Sequence, residues 1–328
     1  MQKDYCYLDK IRIDHGIDKC KAVFLEVYKK DRWRAIALLN DPNLTFPCLF
    51  ILLRKIEAYQ LESSLSFRNI TVLKIIDQIQ KKQKYQNGKD YLSVNKGVVY
   101  PIFRWILETG YTEDGLDNEY DEIMDVTVSV LINSYKDKSI LPVVVDMIFK
   151  RNKKEHYIHD MVWALLQSHT PDALKLIAER ICSSDQQDID LACHLLNFGT
   201  SNSSYNTEDR EKQYQTYIQW LNENDPFLYF TGESFQFSSN PTLCKVDLER
   251  KYLNNGSTSY SEQPVVPKDE NEKKCLKAFK MLSDEEKTIL SEYSYIIHHE
   301  NSAEWKRWMS TSLSDQIKIA KARWEGVK

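Results

Sequence analysis

Apolar residues recur at intervals of three and four through most of this 328-residue chain, and that period constrains its fold more than any other feature. Ala22, Leu25 and Val27 with Tyr28, then Ile36, Leu38 and Leu39, mark successive helical faces. Further helices are expected from Pro47 to Gln60, Ser66 to Gln83 and Val94 to Glu108. Glycine and proline number only 9 each, fewer than a turn-rich sandwich or barrel of this length needs. A hydrophobic share of 42% is enough for a substantial core, so a folded, all-α chain is expected.

A second regularity lies between residues 101 and 199. DVTVSVLIN from Asp125, DMVWALLQS from Asp160 and DLACHLLNF from Asp190 share an initial aspartate and an apolar pair at the sixth and seventh positions. Pro101, Pro142 and Pro171 precede them as candidate helix openers, and the aspartates are placed at helix starts, where a carboxylate caps main-chain N–H groups. Pro142 and Pro171 stand 29 residues apart, the length of one short two-helix repeat. The acidic loop YTEDGLDNEYDE accounts for the longer interval after Pro101. Here the chain resembles short HEAT-like repeats, and Thr170 to Gly199 is the most typical unit. The resemblance covers about a third of the chain and implies an α-solenoid of helical hairpins, each needing neighbours to cover its apolar faces. It carries no catalytic residue across.

On this reading residues 1–224 form the repeat domain, with a charged helix over Glu208 to Glu223 near its end. Residues 225–253 crowd aromatics around Gly232 and Pro241 and predict an irregular or short hairpin segment. Residues 254–272 are rich in Asn, Ser, Pro and acids and read as a linker. Residues 273–328 form a small C-terminal module of three or four helices. Ser283 with Glu286 suggests a capping box there, Ser302 is a candidate cap for the helix holding Trp305 and Trp308, and the final helix is expected from Ser314 to Glu325.

Charge divides along the chain beneath a net −4. Residues 1–110 carry 19 Lys+Arg against 12 Asp+Glu, 111–272 carry 14 against 28, and 273–328 carry 11 against 8. No stretch approaches the roughly 18 apolar residues that span a bilayer. The first residues, MQKDYCYLDKIRID, lack the apolar run of a secretory signal. A cytoplasmic location without membrane insertion is therefore expected. Seven cysteines, an odd number with no CxxC pair, read as reduced and mostly buried thiols.

Candidate chemistry is sparse. His156, His159 and Asp160 in EHYIHD have the look of a metal-dependent phosphohydrolase dyad, but the likeness is two residues long. His298, His299 and Glu300 are adjacent and point in different directions on a helix, so a helix C-terminus favouring imidazolium explains them better. Cys244 has no histidine beside it in sequence, and buried thiols are the commoner case. Six tryptophans, Trp105, Trp163, Trp220, Trp305, Trp308 and Trp324, are spaced as core or interface anchors. No catalytic residue, metal ligand set or cofactor is assigned. The favoured function is a protein-interaction or structural scaffold presenting an acidic surface through Asp117, Glu119, Asp121 and Glu122, with a protein as partner. The first alternative is nucleic-acid binding, with base processing as one form of it, through Lys74, Lys81, Lys82 and Lys84. The acidic repeats next to them disfavour phosphate. The second alternative is an enzyme of unrecognised type with its site where the repeats meet residues 225–253.

Overall fold

A computed structural model describes residues 5–80, 96–197, 207–233, 238, 241–257, 259–260 and 264–325. The described chain is all-α apart from one small sheet, and it divides into two compact units, 1–168 and 169–328. No helix among the described residues is long and apolar enough to cross a membrane.

The first unit contains α1 (Tyr7–His15), α2 (Ile17–Lys30), α3 (Arg32–Leu39), α4 (Phe46–Ala58), α5 (Phe67–Gln80), α6 (Lys96–Gly110), α7 (Asn118–Asn133), α8 (Leu141–Lys153) and α9 (His159–Leu166). Its centre is α4. Every residue from Phe46 to Leu52 is buried, because a helix apolar all round must be covered on all sides. Helices α1, α2 and α6 pack against it. Asp9 is fully buried, and its carboxylate accepts from the Thr45 main-chain N–H at 2.9 Å and from the Thr45 hydroxyl, tying α1 to the start of α4. Phe46 stacks on Tyr120 of α7 at 5.1 Å, and the Tyr120 hydroxyl donates to Gly110 O at 2.8 Å. Helix α4 also packs on α6, α5 on α7, and α7 on α9.

The second unit contains α10 (Pro171–Ala178), α11 (Gln186–Leu196), α12 (Thr207–Asn224), strands β1 (Leu228–Phe230) and β2 (Cys244–Val246), α13 (Leu248–Tyr252), α14 (Glu270–Phe279), α15 (Asp284–Glu300), α16 (Ser302–Met309) and α17 (Leu313–Glu325). The strands pair antiparallel, with Tyr229 opposite Lys245. Helix α13 packs along α15, and Tyr252 stacks on Phe279 at 4.4 Å within a core that includes Leu290, Ile297, Trp305 and Trp308. Several polar groups in this core are matched, although the buried Trp308 indole N–H has no hydrogen-bond partner among the described residues. The Trp305 indole donates to Ser294 Oγ at 2.8 Å, Ser294 donates to Tyr252 O, and the Tyr252 hydroxyl donates to Gln316 at 2.7 Å.

Local signals explain most helix starts, though not always at the residue expected. Ser283 caps α15 as its sequence predicts, whereas Asn301 rather than Ser302 caps α16, accepting from the N–H groups of Ala303 and Glu304. Pro142 and Pro171 do stand in first turns. Pro101 instead lies inside α6, where it forfeits a main-chain hydrogen bond. The repeated aspartates are not caps. Asp125 and Asp190 lie inside α7 and α11, whose caps are Asp117 and Asp185, and Asp160 is in the first turn of α9 behind Ile158. Asp125 lies seven residues past the first residue of α7 and Asp190 four past that of α11, and an aspartate so placed precedes the same apolar pattern as one at a helix start, so pattern alone does not separate the two.

Candidate functional site

In the first unit a cleft of about 700 Å³ opens between α2, α4, α5 and the amino end of α7. Its floor holds five half-buried apolar side chains, Ile17, Leu53, Ile70, Leu73 and Leu116. Leu53, Ile70 and Leu73 face the cleft because α4 and α5 put the stripes of Leu52 and Ile56 with Val72 and Ile75 into the core and leave the neighbouring positions at its edge. Charged residues of both signs rim the opening. Lys21, Arg54 and Lys74 supply three cations, and Glu57, Glu62, Asp77, Asp117 and Glu119 supply five acids.

The cleft gathers residues from both charge sets that the sequence had suggested for different partners. Lys74 of the basic set and Asp117 and Glu119 of the acidic set all line it. Lys81, Lys82 and Lys84 lie outside the described residues. Within the acidic set the four members differ in role. Asp117 caps α7, accepting from Tyr120 N–H at 2.8 Å. Asp121 accepts from Gly115 N–H at 2.7 Å and holds the turn in which Gly115 takes a φ of +89°. Glu119 is exposed, accepts from Gln80 at 3.3 Å and stands 3.9 Å from the highly exposed Arg54 guanidinium. Glu122 is exposed.

The first unit also holds, outside the cleft lining, a group that sequence reading missed. Arg151, only 2% exposed, is the last basic residue to enter the core from α8. Its Nε and Nη2 donate to the two oxygens of Asp114, each at 2.7 Å, and its Nη1 donates to Asp125 at 2.7 Å. It also donates to the carbonyls of Tyr157 and Asp121 at 3.2 and 3.3 Å. One cation thus joins the 114–117 loop, α7 and the chain leading to α9. Burial raises the Asp114 carboxyl above its usual range in spite of those bonds. Asp125 is pushed up to about 7 by burial, reinforced by the charges of Asp114 and Asp160 and opposed by Arg151. The guanidinium loses by burial but gains more from Asp114 and Asp125, so it stays charged.

The remaining sequence candidates do not converge on a reaction centre. His156 precedes α9 with its Nδ1 3.8 Å from Asp121, while Asp160 is exposed in the first turn. His298 and His299 lie in the last turn of α15. Burial pushes the Cys244 thiol up to about 11, which keeps it protonated and poorly nucleophilic near neutral pH. Among the described residues no group of three His, Cys, Asp or Glu side chains could hold a metal ion. Four of the seven cysteines are buried and none is paired in a disulfide.

A further residue absent from the sequence-level candidates is Trp33. It is 74% exposed, whereas Trp305 and Trp308 are buried and Trp105 is half-buried beneath the Arg68 guanidinium at 4.4 Å. No protein-family model matches this chain, and neither does any curated protein or solved structure.

Proposed function

We propose that the protein is an interaction scaffold whose first unit binds a protein partner in the α2–α4–α5–α7 cleft. The observation that carries this reading is the cleft's anatomy: half-buried apolar residues at the centre and charges of both signs at the edge. Protein interfaces share that arrangement, with a desolvated apolar centre supplying affinity and a polar rim supplying register. Of the acidic set, Asp117, Glu119 and Glu122 are exposed; Glu119 and Glu122 are available for contact, while Asp117 and the half-buried Asp121 hold the backbone that presents them. Five acids against three cations make the cleft a poor seat for phosphate, which favours a protein over a nucleic acid at Lys74.

A HEAT-like framework is part of the proposal. Its support is helix packing that skips one helix, α4 on α6, α5 on α7 and α7 on α9 in the first unit, and α10 on α12 in the second. Stacked hairpins bring every second helix together in this way.

The test is recovery of partners from native cells by the full chain and by two variants, Leu73→Gln with Leu116→Gln and Glu119→Lys with Glu122→Lys. The reading requires the same partners to be lost or depleted in both, with helix content and melting unchanged. Undiminished recovery by both would remove the cleft from the account.

A further inference from the structure

We propose that the corner between α2 and α3 docks on an anionic lipid surface, with Trp33 entering the headgroup region and Lys29, Lys30, Arg32 and Arg34 meeting lipid phosphates and carboxylates. Every residue from Lys29 to Arg34 is exposed, and Asp31 alone links the two helices, so the segment projects as a corner. It carries four cations and one acid. That acid is already engaged, since Asp31 accepts from Arg34 N–H at 3.0 Å to cap α3.

Lys29 and Lys30 suit the C-terminal turn of α2, but local stability does not account for the rest of the set. Arg32 and Arg34 stand in the first turn of α3, where the positive end of the helix dipole disfavours cations. Their side chains, and those of Lys29 and Lys30, form no ion pair with any described residue, although Arg12, Arg104, Arg151 and Lys251 elsewhere are all paired with carboxylates. Trp33 leaves 74% of its surface in water among them. An indole with one wet and one apolar side is suited to the membrane–water boundary, and flanking lysines and arginines add attraction to an anionic leaflet.

A nucleic acid would ask for a different surface. Strand binders follow the backbone along a groove and stack successive bases on several aromatics. Here the other aromatics of α2 are taken, Phe24 in the core and Tyr28 stacked on Tyr59 at 4.3 Å, which leaves one indole on a projecting corner. That shape meets a plane more readily than it encloses a strand. The docking is peripheral and independent of the cleft reading.

Co-sedimentation of the full chain with phosphatidylcholine vesicles, with and without phosphatidylserine, at low and high salt, tests the proposal. A short single-stranded RNA binding assay runs beside it. The expected result is salt-sensitive binding that requires phosphatidylserine. Trp33→Ala should weaken it by about tenfold. Each of Lys29→Gln, Lys30→Gln, Arg32→Gln and Arg34→Gln should weaken it by about fivefold. Lys273→Gln, an exposed change in the other unit, should leave it unaltered. All of these side chains are exposed, and circular dichroism of each variant checks that it folds. Failure to bind phosphatidylserine vesicles at low salt overturns the proposal, as does binding that survives both Trp33→Ala and Arg32→Gln with Arg34→Gln. RNA binding through these residues without vesicle binding overturns it in favour of a nucleic-acid surface.

Discussion

Replacing Arg151 by Met keeps the length of the side chain but removes the buried cation that ties the 114–117 loop to α7 and α8. Three hydrogen bonds at 2.7 Å to Asp114 and Asp125 disappear, together with those to the Tyr157 and Asp121 carbonyls. Two carboxylates are left largely buried without their counter-ion, a change that typically costs about 3–5 kcal/mol. The loss should depend on pH. In the native protein the folded pKa of Asp125, about 7, lies above its ordinary 3.8, so the folded chain holds the extra proton between those values. Its contribution to stability is therefore present at the acid end and is lost as pH rises through about 7. Without Arg151 both carboxyls lose the influence that lowers them, so the variant's deficit should be larger near pH 8 than near pH 5.5. Urea unfolding at the two pH values measures the difference, and amide exchange across α7, α8 and α9 assigns it to the first unit. A deficit below about 1 kcal/mol, or one equal at both pH values, would refute the account of Arg151 as a buried charge clamp.

Asp125→Asn removes the titrating group itself, so the decline in stability between about pH 4 and pH 7 should flatten, by at most about 4 kcal/mol; unfolding midpoints against pH measure it. Gly110→Ala places a Cβ 2.7 Å from the Tyr120 hydroxyl and 3.0 Å from the Phe46 ring, and should cost about 1–3 kcal/mol in thermal unfolding. In the second unit Lys251 is fully buried, donating to Asn224 at 2.7 Å and Glu292 at 2.6 Å above the Tyr295 ring. Lys251→Met should destabilise by less than Arg151→Met, about 1–3 kcal/mol in urea unfolding, because Glu292 is partly exposed and water can solvate it.

The helical class was legible because apolar spacing is set by backbone geometry and survives any arrangement of the helices. Helix α4 shows this well: expected from Pro47 to Gln60, it runs from Phe46 to Ala58. Helix starts were less legible where two polar residues competed, as at Asn301 and Ser302 or Asp117 and Asp125. The site was legible only as composition. Asp117, Glu119 and Lys74 were found as members of opposite charge sets, but one cleft unites them because α5 passes beside the start of α7, 39 residues later in the Gln80–Glu119 contact. Arg151 gave no local signal, since a lone arginine after VVVDMIFK looks like a solvated helix end until Asp114, 37 residues earlier, is placed against it. Trp33 went unnoticed because exposure, not identity, sets it apart from the other tryptophans.

Site-specific photo-crosslinking addresses the interaction cleft most directly. A photoreactive residue at position 73, on the cleft floor, should give discrete covalent adducts in the native cell, and the same residue at the exposed Met281 position should give none of them. Adducts from position 281 alone, or an identical set from both positions, would contradict a partner seated between α2, α4, α5 and α7.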